Sequence, residues 1–116
     1  MASQRLSRFA SIRARPKLEL TLRTGTVART PYFRACYLAG EGPPGVAFLA
    51  GKKVGGAVRR NRAKRVLREA FRTCQADLSG IETLVFVATD RAATARYSDI
   101  RDALHELLRA ISDRDS

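Results

Sequence analysis

The chain has 116 residues, 45% of them apolar, and it carries a formal net charge of +11. This length accommodates one domain with one modest core, and the apolar content is too high for an intrinsically disordered chain. The charge exceeds what solubility requires and indicates a polyanionic partner, usually a nucleic acid. We expect residues 1–116 to form a single domain, with 1–14 as a flexible basic arm and 112–116 as a flexible tail.

The positive charge is concentrated in the middle of the chain. Residues 1–51 have a net charge of +6 and residues 73–116 a net charge of −3, whereas residues 52–72 alone contribute +8. A focused basic patch beside a mildly acidic remainder is typical of a nucleic-acid-binding surface.

The N-terminal part of the chain predicts neither a secretion signal nor a membrane span. Residues 1–16 lack an uninterrupted apolar segment, and no apolar run reaches transmembrane length. We therefore expect a cytoplasmic protein without a membrane partner.

Residues 16–25 fit two structures. Leu18, Leu20 and Leu22 alternate as in a strand. Leu18 and Leu22 also form a helical i, i+4 pair. Pro16 suits the start of such a helix and Gly25 suits its end. The residues alone leave both structures open.

Three further segments predict strands. Residues 31–40 alternate loosely between apolar and polar side chains, and 46–50 form a short apolar run. Between them, two prolines and two flanking glycines at 41–45 predict a loop. We expect the two strands beside this loop to pair as an antiparallel hairpin or meander. The third strand, 83–89, is continuously apolar, as in the centre of a sheet.

Two amphipathic helices complete the pattern. The first is predicted over 61–78, where apolar side chains recur at i, i+3 and i+4, and Gly80 is expected just after its end. The second carries an apolar stripe over 100–111, with Ser98 or Asp99 as its N-cap. The coarse order is (α or β)–β–β–α–β–α, a small mixed sheet with helices packed against it.

The exposed face of the first amphipathic helix is almost purely cationic. Lys64, Arg68 and Arg72 form like-charged i, i+4 pairs, which repel by about 0.2–0.5 kcal/mol each. Only Arg65 and Glu69 form a pair of opposite charge. This predicts an external counter-charge, and the forked guanidinium of Arg suits phosphate. The residues predicted to bind nucleic acid are Lys52, Lys53, Arg59, Arg60, Asn61, Arg62, Lys64, Arg65, Arg68 and Arg72.

No catalytic or metal-binding residue is predicted. The chain has no paired carboxylates on one element and no Ser/His/Asp set, and its single histidine, His105, lies on the polar side of the last helix. Cys36 and Cys74 lie far apart and are expected to be buried, reduced thiols. The glycines in 51–56 let the backbone approach a ligand, but the Gly-Lys-Ser/Thr ending of a P-loop is missing.

The segment KKVGGAVRRNRAKRVLREAFR, residues 52–72, resembles the signature of the protein subunit of bacterial ribonuclease P. That family carries Lys-Lys-(Val/Ile)-Gly-Asn-Ala-Val, followed on one helix by Arg-Asn-Arg, Lys-Arg and Arg-Glu. Residues 60–62 supply the Arg-Asn-Arg, 64–65 the Lys-Arg and 68–69 the Arg-Glu. The pattern is long and ordered, and a weaker similarity extends along most of the chain.

This resemblance implies a fold and a role. The fold would be a two-layer α/β sandwich of order α-β-β-β-α-β-α, with a mixed central sheet, a left-handed βαβ crossover and a first helix near 16–24. The protein would bind a catalytic RNA that removes the 5′ leader of precursor tRNA. The protein would hold no catalytic residue, and Mg²⁺ would be held mainly by the RNA and the substrate.

The resemblance also implies a cleft between the first helix and the sheet that holds the single-stranded leader. Leu18 and Leu22 stand where aromatic residues are common in the family, and Gly56 stands where Asn is usual. Aromatic stacking contributes about 1–3 kcal/mol per base, so the grip on the leader would be weaker or shifted to the sheet. For each sheet aromatic, an ordinary core position is the competing interpretation. The candidate cleft residues are Arg13, Arg15, Leu18, Leu22, Tyr32, Phe33 and Tyr37.

Two other classes of protein fit part of the pattern. A structural RNA-binding protein, such as a ribosomal protein, would share the size and charge but would not require the ordered motif at 52–69. A DNA-binding regulator that uses 61–78 as a recognition helix would require a preceding helix at helix-turn-helix spacing, which is not predicted.

Overall fold

The computed structural model describes residues 10–11, 15–41, 44–74 and 78–114. The strands are β1 (Ala10–Ser11), β2 (Thr26–Arg29), β3 (Phe33–Ala39), β4 (Gly45–Ala50) and β5 (Ile81–Ala88). The helices are α1 (Arg15–Thr24), α2 (Ala57–Thr73) and α3 (Tyr97–Arg114). Short 3₁₀ turns at Lys52–Val54 and Asp90–Ala93 precede α2 and α3. Of the predicted arm, 1–9 and 12–14 lie outside the described residues, and of the predicted tail, 115–116 do.

The sheet has the order β1-β4-β5-β3-β2. The apolar strand β5 lies at its centre, as predicted, parallel to β4 and antiparallel to β3. The predicted pairing of β3 with β4 is wrong, because β5 lies between them. The hairpin is formed instead by β2 and β3. Apart from the two-residue β1, the order of elements agrees with the order that the resemblance implies, and the handedness of the β4–α2–β5 crossover stays a prediction.

The two sides of the sheet are covered by different helices. On one side, which we call the core side, α2 and α3 close the main core, where the rings of Phe48, Phe71 and Phe86 have centroids 5.4–5.9 Å apart. The other side, the α1 side, is partly covered by α1, which packs on β3 and β5. Because side chains alternate along a strand, Phe86 points to the core side while Thr83 and Val85 point to the α1 side.

α1 settles the ambiguity at 16–25 in favour of a helix. The side of the helix that faces the sheet is marked by Thr21, which is fully buried although it is polar. Leu18 and Leu22 are half-buried on the same helix, whereas Leu20 is 41% exposed. The alternating leucines therefore do not share one face, as they would in a strand.

α2 begins and ends earlier than predicted. It starts at Ala57 and ends at Thr73, not over 61–78. Gly80 is consequently not its C-terminal residue, and with a φ of 87° it lies in the turn that leads into β5. Leu78 is buried, which explains why it resembled the last member of a helical stripe.

α3 carries its predicted apolar stripe toward the core. Ile100, Leu104 and Leu108 are fully buried. The helix begins at Tyr97, so Ser98 and Asp99 lie inside its first turn and neither is the N-cap.

A buried hydrogen bond fastens α1 to the sheet. The Thr21 hydroxyl donates to the Lys17 carbonyl at 2.8 Å, and its oxygen lies 2.6 Å from the Thr83 hydroxyl. Because the Thr21 proton is already committed, the Thr83 hydroxyl is the donor between the two threonines. At the surface, Lys17 of α1 also forms an ion pair with Glu82 of β5.

We expect Thr21→Val to lower the free energy of unfolding by about 1–3 kcal/mol, because it leaves the Thr83 hydroxyl buried without a partner. The double variant T21V/T83V should be less destabilised than the sum of the single variants, since both polar groups are then removed. Urea unfolding of the four proteins measures this coupling. Strictly additive effects would mean that the hydrogen bond does not anchor the helix.

Candidate RNA-binding surface

α2 presents an arginine-rich face because its apolar residues occupy the opposite side. With 3.6 residues per turn, the buried stripe of Ala63, Val66, Leu67, Ala70 and Phe71 leaves the basic residues facing solvent. A groove of about 550 Å³ runs along this face. We call it the helix groove, and it is lined by Val58, Asn61, Arg62, Lys64, Arg65 and Arg68. No acidic side chain contributes to this lining, so a polyanion would meet only cationic, amide and apolar groups.

Two arginines of the helix groove are held in place by contacts inside the protein. The Arg62 guanidinium donates a hydrogen bond to the Ala93 carbonyl, in the turn before α3. The Arg68 guanidinium carbon lies 5.6 Å from the centroid of the Phe48 ring, a cation–π contact. Side chains that are already ordered lose less conformational entropy when a ligand binds.

The arginines at the start of α2 have a different environment. Arg59 folds back so that its Nε donates to the Val54 carbonyl at 3.0 Å. Its side chain lies over Gly55, which has a φ of 133°, and a Cβ at Gly55 would stand 2.6 Å from the Arg59 Cδ. Arg60 is half-buried, and among the described residues its buried Nε has no hydrogen-bond partner. Neither arginine lines the helix groove.

Lys52 and Lys53 lie in a second groove, at the end of the sheet where β4 and β5 finish. This end groove has a volume of about 670 Å³ and is also lined by Arg29, Arg34 and Asp90. Sequence reasoning missed Arg29 and Arg34, because single arginines in short strands carry no local signal. The pairing of β2 with β3 sets Arg29 beside Arg34, and the sheet order β4-β5-β3 brings both to the groove that the lysines line.

The candidate cleft residues are divided between the two sides of the sheet. Leu18 and Leu22 are half-buried on α1, and Arg15 is exposed at its first turn. Phe33 and Tyr37 belong instead to the main core on the core side. The structure therefore does not bring these two aromatics together with Leu18 and Leu22, and their contact with a leader stays a prediction.

The remaining two cleft candidates, Tyr32 and Arg13, do not lie among the described residues of the α1 side. Tyr32 is half-buried in the β2–β3 turn, and Arg13 lies outside the described residues. The open part of the α1 side carries both apolar and basic side chains, with Val27 42% exposed and Arg29 and Arg34 exposed on the same face.

Val58 is a second residue that sequence reasoning missed. Its side chain is 84% exposed in the middle of the helix groove. The predicted helix started at residue 61, so Val58 was not placed on a helix face. Val58 thus adds an apolar side chain to a groove whose other lining residues are polar or basic.

The histidine and the two cysteines lie outside the lining of the helix groove. His105 is exposed, and Cys36 and Cys74 are buried free thiols. Burial raises the pKa of Cys74 to about 12, so this thiol stays protonated at neutral pH. In the described part of the chain, no three His, Cys, Asp or Glu side chains come together as a metal site. None of the described helices is long and apolar enough to span a bilayer.

Comparison with known proteins identifies the family. The family model described as Ribonuclease P matches residues 6–112. A Xanthomonas campestris protein described as a ribonuclease P protein component is 37% identical over 107 residues, 91% of this chain and 72% of the relative. The chain belongs to the ribonuclease P protein family. A Dehalococcoides mccartyi ribonuclease P protein component is 46% identical over 66 residues, and the match spans 54% of this chain and 51% of that relative's length.

Solved structures of ribonuclease P proteins share the fold. The Staphylococcus aureus RNase P protein superposes with a TM-score of 0.74 at 20% identity, over 90% of this chain and 95% of that one. The Thermotoga maritima RNase P protein gives a TM-score of 0.74 at 23% identity, over 86% and 96% of the two chains. At these identities the likeness shows the fold, and it confirms the mixed α/β architecture expected for the ribonuclease P protein family.

Proposed function

We propose that this chain is the protein subunit of ribonuclease P, a ribonucleoprotein endonuclease of tRNA processing. In this role it binds the catalytic RNA and the 5′ leader of precursor tRNA, and it promotes Mg²⁺-dependent removal of the leader to give the mature 5′ end. The observation that carries the proposal is the helix groove, which is free of acidic side chains and lies within the segment that matches the family. We place this activity in the cytoplasm.

The protein's contribution is electrostatic and positional. Arg62, Arg65 and Arg68 neutralise phosphates where two RNA segments must approach each other, and Arg62 and Arg68 are already ordered. Each neutralised phosphate releases condensed counterions, so affinity falls steeply as salt rises. The bare RNA would need more Mg²⁺ to overcome the same repulsion.

The leader is proposed to lie on the α1 side of the sheet. Leu18, Leu22 and Val27 offer apolar contact there without the ring faces that stack on bases. Such contacts tolerate any base, which suits a subunit that must accept leaders of many sequences.

Mg²⁺ is assigned mainly to the RNA and the substrate. When bound there, the ion supplies an activated water and charge stabilisation for phosphodiester hydrolysis. The described residues of the protein offer no cluster of ligands for a dedicated metal site. The role proposed for the side chains of this chain is to bind and orient RNA.

The deciding test is cleavage of precursor tRNA by a bacterial ribonuclease P RNA at low Mg²⁺, with and without the protein. We expect the protein to raise kcat/KM about tenfold or more, which corresponds to about 1.4 kcal/mol of transition-state stabilisation. Cleavage should occur at the mature 5′ end. If the protein binds the RNA but leaves cleavage unchanged, a structural RNA-binding role, as in a ribosomal protein, becomes the better account.

A further inference from the structure

Phe48 connects the aromatic core of the protein to the helix groove. Its ring stacks on its cross-strand partner Phe86, with centroids 5.4 Å apart and an angle of 11° between the ring planes. The Phe71 ring meets it edge-on, with a centroid distance of 5.9 Å and an angle of 70°. Because Phe71 and Phe86 are fully buried in a close-packed interior, they fix the orientation of the half-buried Phe48 ring.

Arg68 places its charge on this ring. The guanidinium carbon lies 5.6 Å from the ring centroid, close enough for a cation to be attracted to the aromatic face. Because Phe86 covers one face of the ring, the guanidinium lies over the other. Arg68 is itself exposed and lines the helix groove. A row of Phe86, Phe48 and Arg68 thus runs from the central strand to the candidate RNA-binding surface.

The ring contact orders Arg68 without using its hydrogen-bond donors. The polar groups of a guanidinium are all donors, and within the described parts of the chain Arg68 donates none of them to a protein acceptor. Arg62 differs, because its guanidinium donates to the Ala93 carbonyl. The donors of Arg68 therefore remain available for a bidentate contact with a phosphate.

The neighbours of Arg68 on α2 act against this position. Lys64 and Arg72 lie one helical turn before and after it, and like charges at this spacing repel each other. Over the ranges that the structure describes, no carboxylate forms an ion pair with Arg68. The attraction to the Phe48 ring is therefore the contact that opposes this repulsion.

We propose that Phe48 is a positioning residue for RNA binding, and that its ring holds the Arg68 guanidinium where a backbone phosphate of ribonuclease P RNA binds. The inference rests on the proposed function, since that RNA is the ligand of the helix groove. A side chain that is already ordered loses less conformational entropy when its ligand binds. Phe48 therefore raises the affinity through Arg68 and needs no contact of its own with the RNA.

A double-mutant cycle tests this coupling. Wild type, F48L, R68Q and F48L/R68Q are titrated with ribonuclease P RNA alone, by filter binding at fixed salt and at a temperature where all four proteins are folded. We expect F48L to lose about threefold in affinity, which is the equivalent of one exposed cation–π contact. R68Q should lose about tenfold or more, because it removes the charged donors. F48L/R68Q should bind the RNA as R68Q does, since the ring acts only through the arginine.

I111V is the matched control for a change in the core. Ile111 belongs to the same core cluster but lies on α3, outside the helix groove. Removing one buried methyl group there lowers stability, and the variant should still bind the RNA as wild type does. If I111V loses as much affinity as F48L, loosening of the core and not the position of Arg68 is responsible, and the proposal is wrong.

The order of the Arg68 side chain is measured directly in the free protein, by NMR relaxation of its Nε–H group. This group should be restricted in wild type and mobile in F48L. Arg65, an exposed arginine of the same groove, should give the same relaxation in both proteins. An Arg68 side chain that is equally mobile in wild type and F48L would overturn the proposal.

The failures of this proposal and of the proposed function are distinguishable. If wild type supports cleavage but F48L binds the RNA as tightly as wild type, Phe48 is not a positioning residue and the proposed function stands. The same conclusion follows if the losses of F48L and R68Q multiply in the double variant. If the wild-type protein does not bind ribonuclease P RNA, both proposals fall together.

Discussion

Replacing Arg62, Arg65 and Arg68 together by Glu is expected to weaken binding to ribonuclease P RNA by about 10³-fold or more. Hydrogen bonds to charged groups contribute about 1.5–3 kcal/mol each, and every 1.4 kcal/mol is a factor of ten. The loss of three such hydrogen-bonding groups already costs about 4.5 kcal/mol or more, which is about 10³-fold in affinity. Placing three carboxylates opposite phosphates adds repulsion to this loss. A filter-binding titration at fixed salt measures the change.

The fold should survive this substitution, since none of the three arginines belongs to the buried stripe of α2. A small loss of stability is still expected, because Arg62 donates to the Ala93 carbonyl and Arg68 contacts the Phe48 ring. These contacts contribute about 1 kcal/mol each. The pattern of residues along the helix predicted three free surface arginines, whereas two of them are anchored to neighbouring elements.

A matched control is available on α3 and at the residue just before it. Reversing Arg96, Arg101 and Arg109 changes the net charge by the same amount, on exposed or half-exposed positions outside the helix groove. We expect this variant to lose far less affinity. If both triple variants bind RNA equally well or equally poorly, net charge and not the helix groove governs binding.

Phe86→Ala should lower the free energy of unfolding by about 3–5 kcal/mol. Phe86 is fully buried, and its ring packs against Phe33, Phe48 and Phe71 with centroids 5.4–5.7 Å apart. The cavity would lie between the central strand and α2, where the surroundings cannot easily collapse. Because domains are typically stable by only about 5–15 kcal/mol, this loss would remove a large part of the stability.

Denaturant unfolding followed by circular dichroism measures this loss. Val58→Ala is the control, because that side chain is 84% exposed and its truncation should change stability by less than about 0.5 kcal/mol. The two variants are also compared in RNA binding, at a temperature where both are folded. A Phe86→Ala protein as stable as Val58→Ala would show that the aromatic cluster is not the centre of the core.

Local patterns predicted α2, α3 and the cationic face of α2, because their signals lie within a few residues of one another. The spacing of the apolar positions along α2 is enough to place Arg65 and Arg68 on the exposed side, wherever the helix packs. The continuous apolar run of β5 likewise indicates a central strand without knowledge of its neighbours. The ends of elements were predicted less accurately, since Leu78 is buried for tertiary reasons and extended the apparent stripe of α2 past Thr73.

The sequence by itself determined the element types from β3 onward, the cationic face and the family resemblance, all of which depend on short-range order along the chain. Only the tertiary structure decided strand pairing, since β3 and β4 are adjacent in sequence but separated in space by β5. Pairing in turn decided which side of the sheet each residue faces, and it placed Phe33 and Tyr37 in the main core. It also brought Arg29 beside Arg34, and both to Lys52 and Lys53. The physical reason is that contacts between distant segments are selected by burial of the whole core, which no local window of sequence contains.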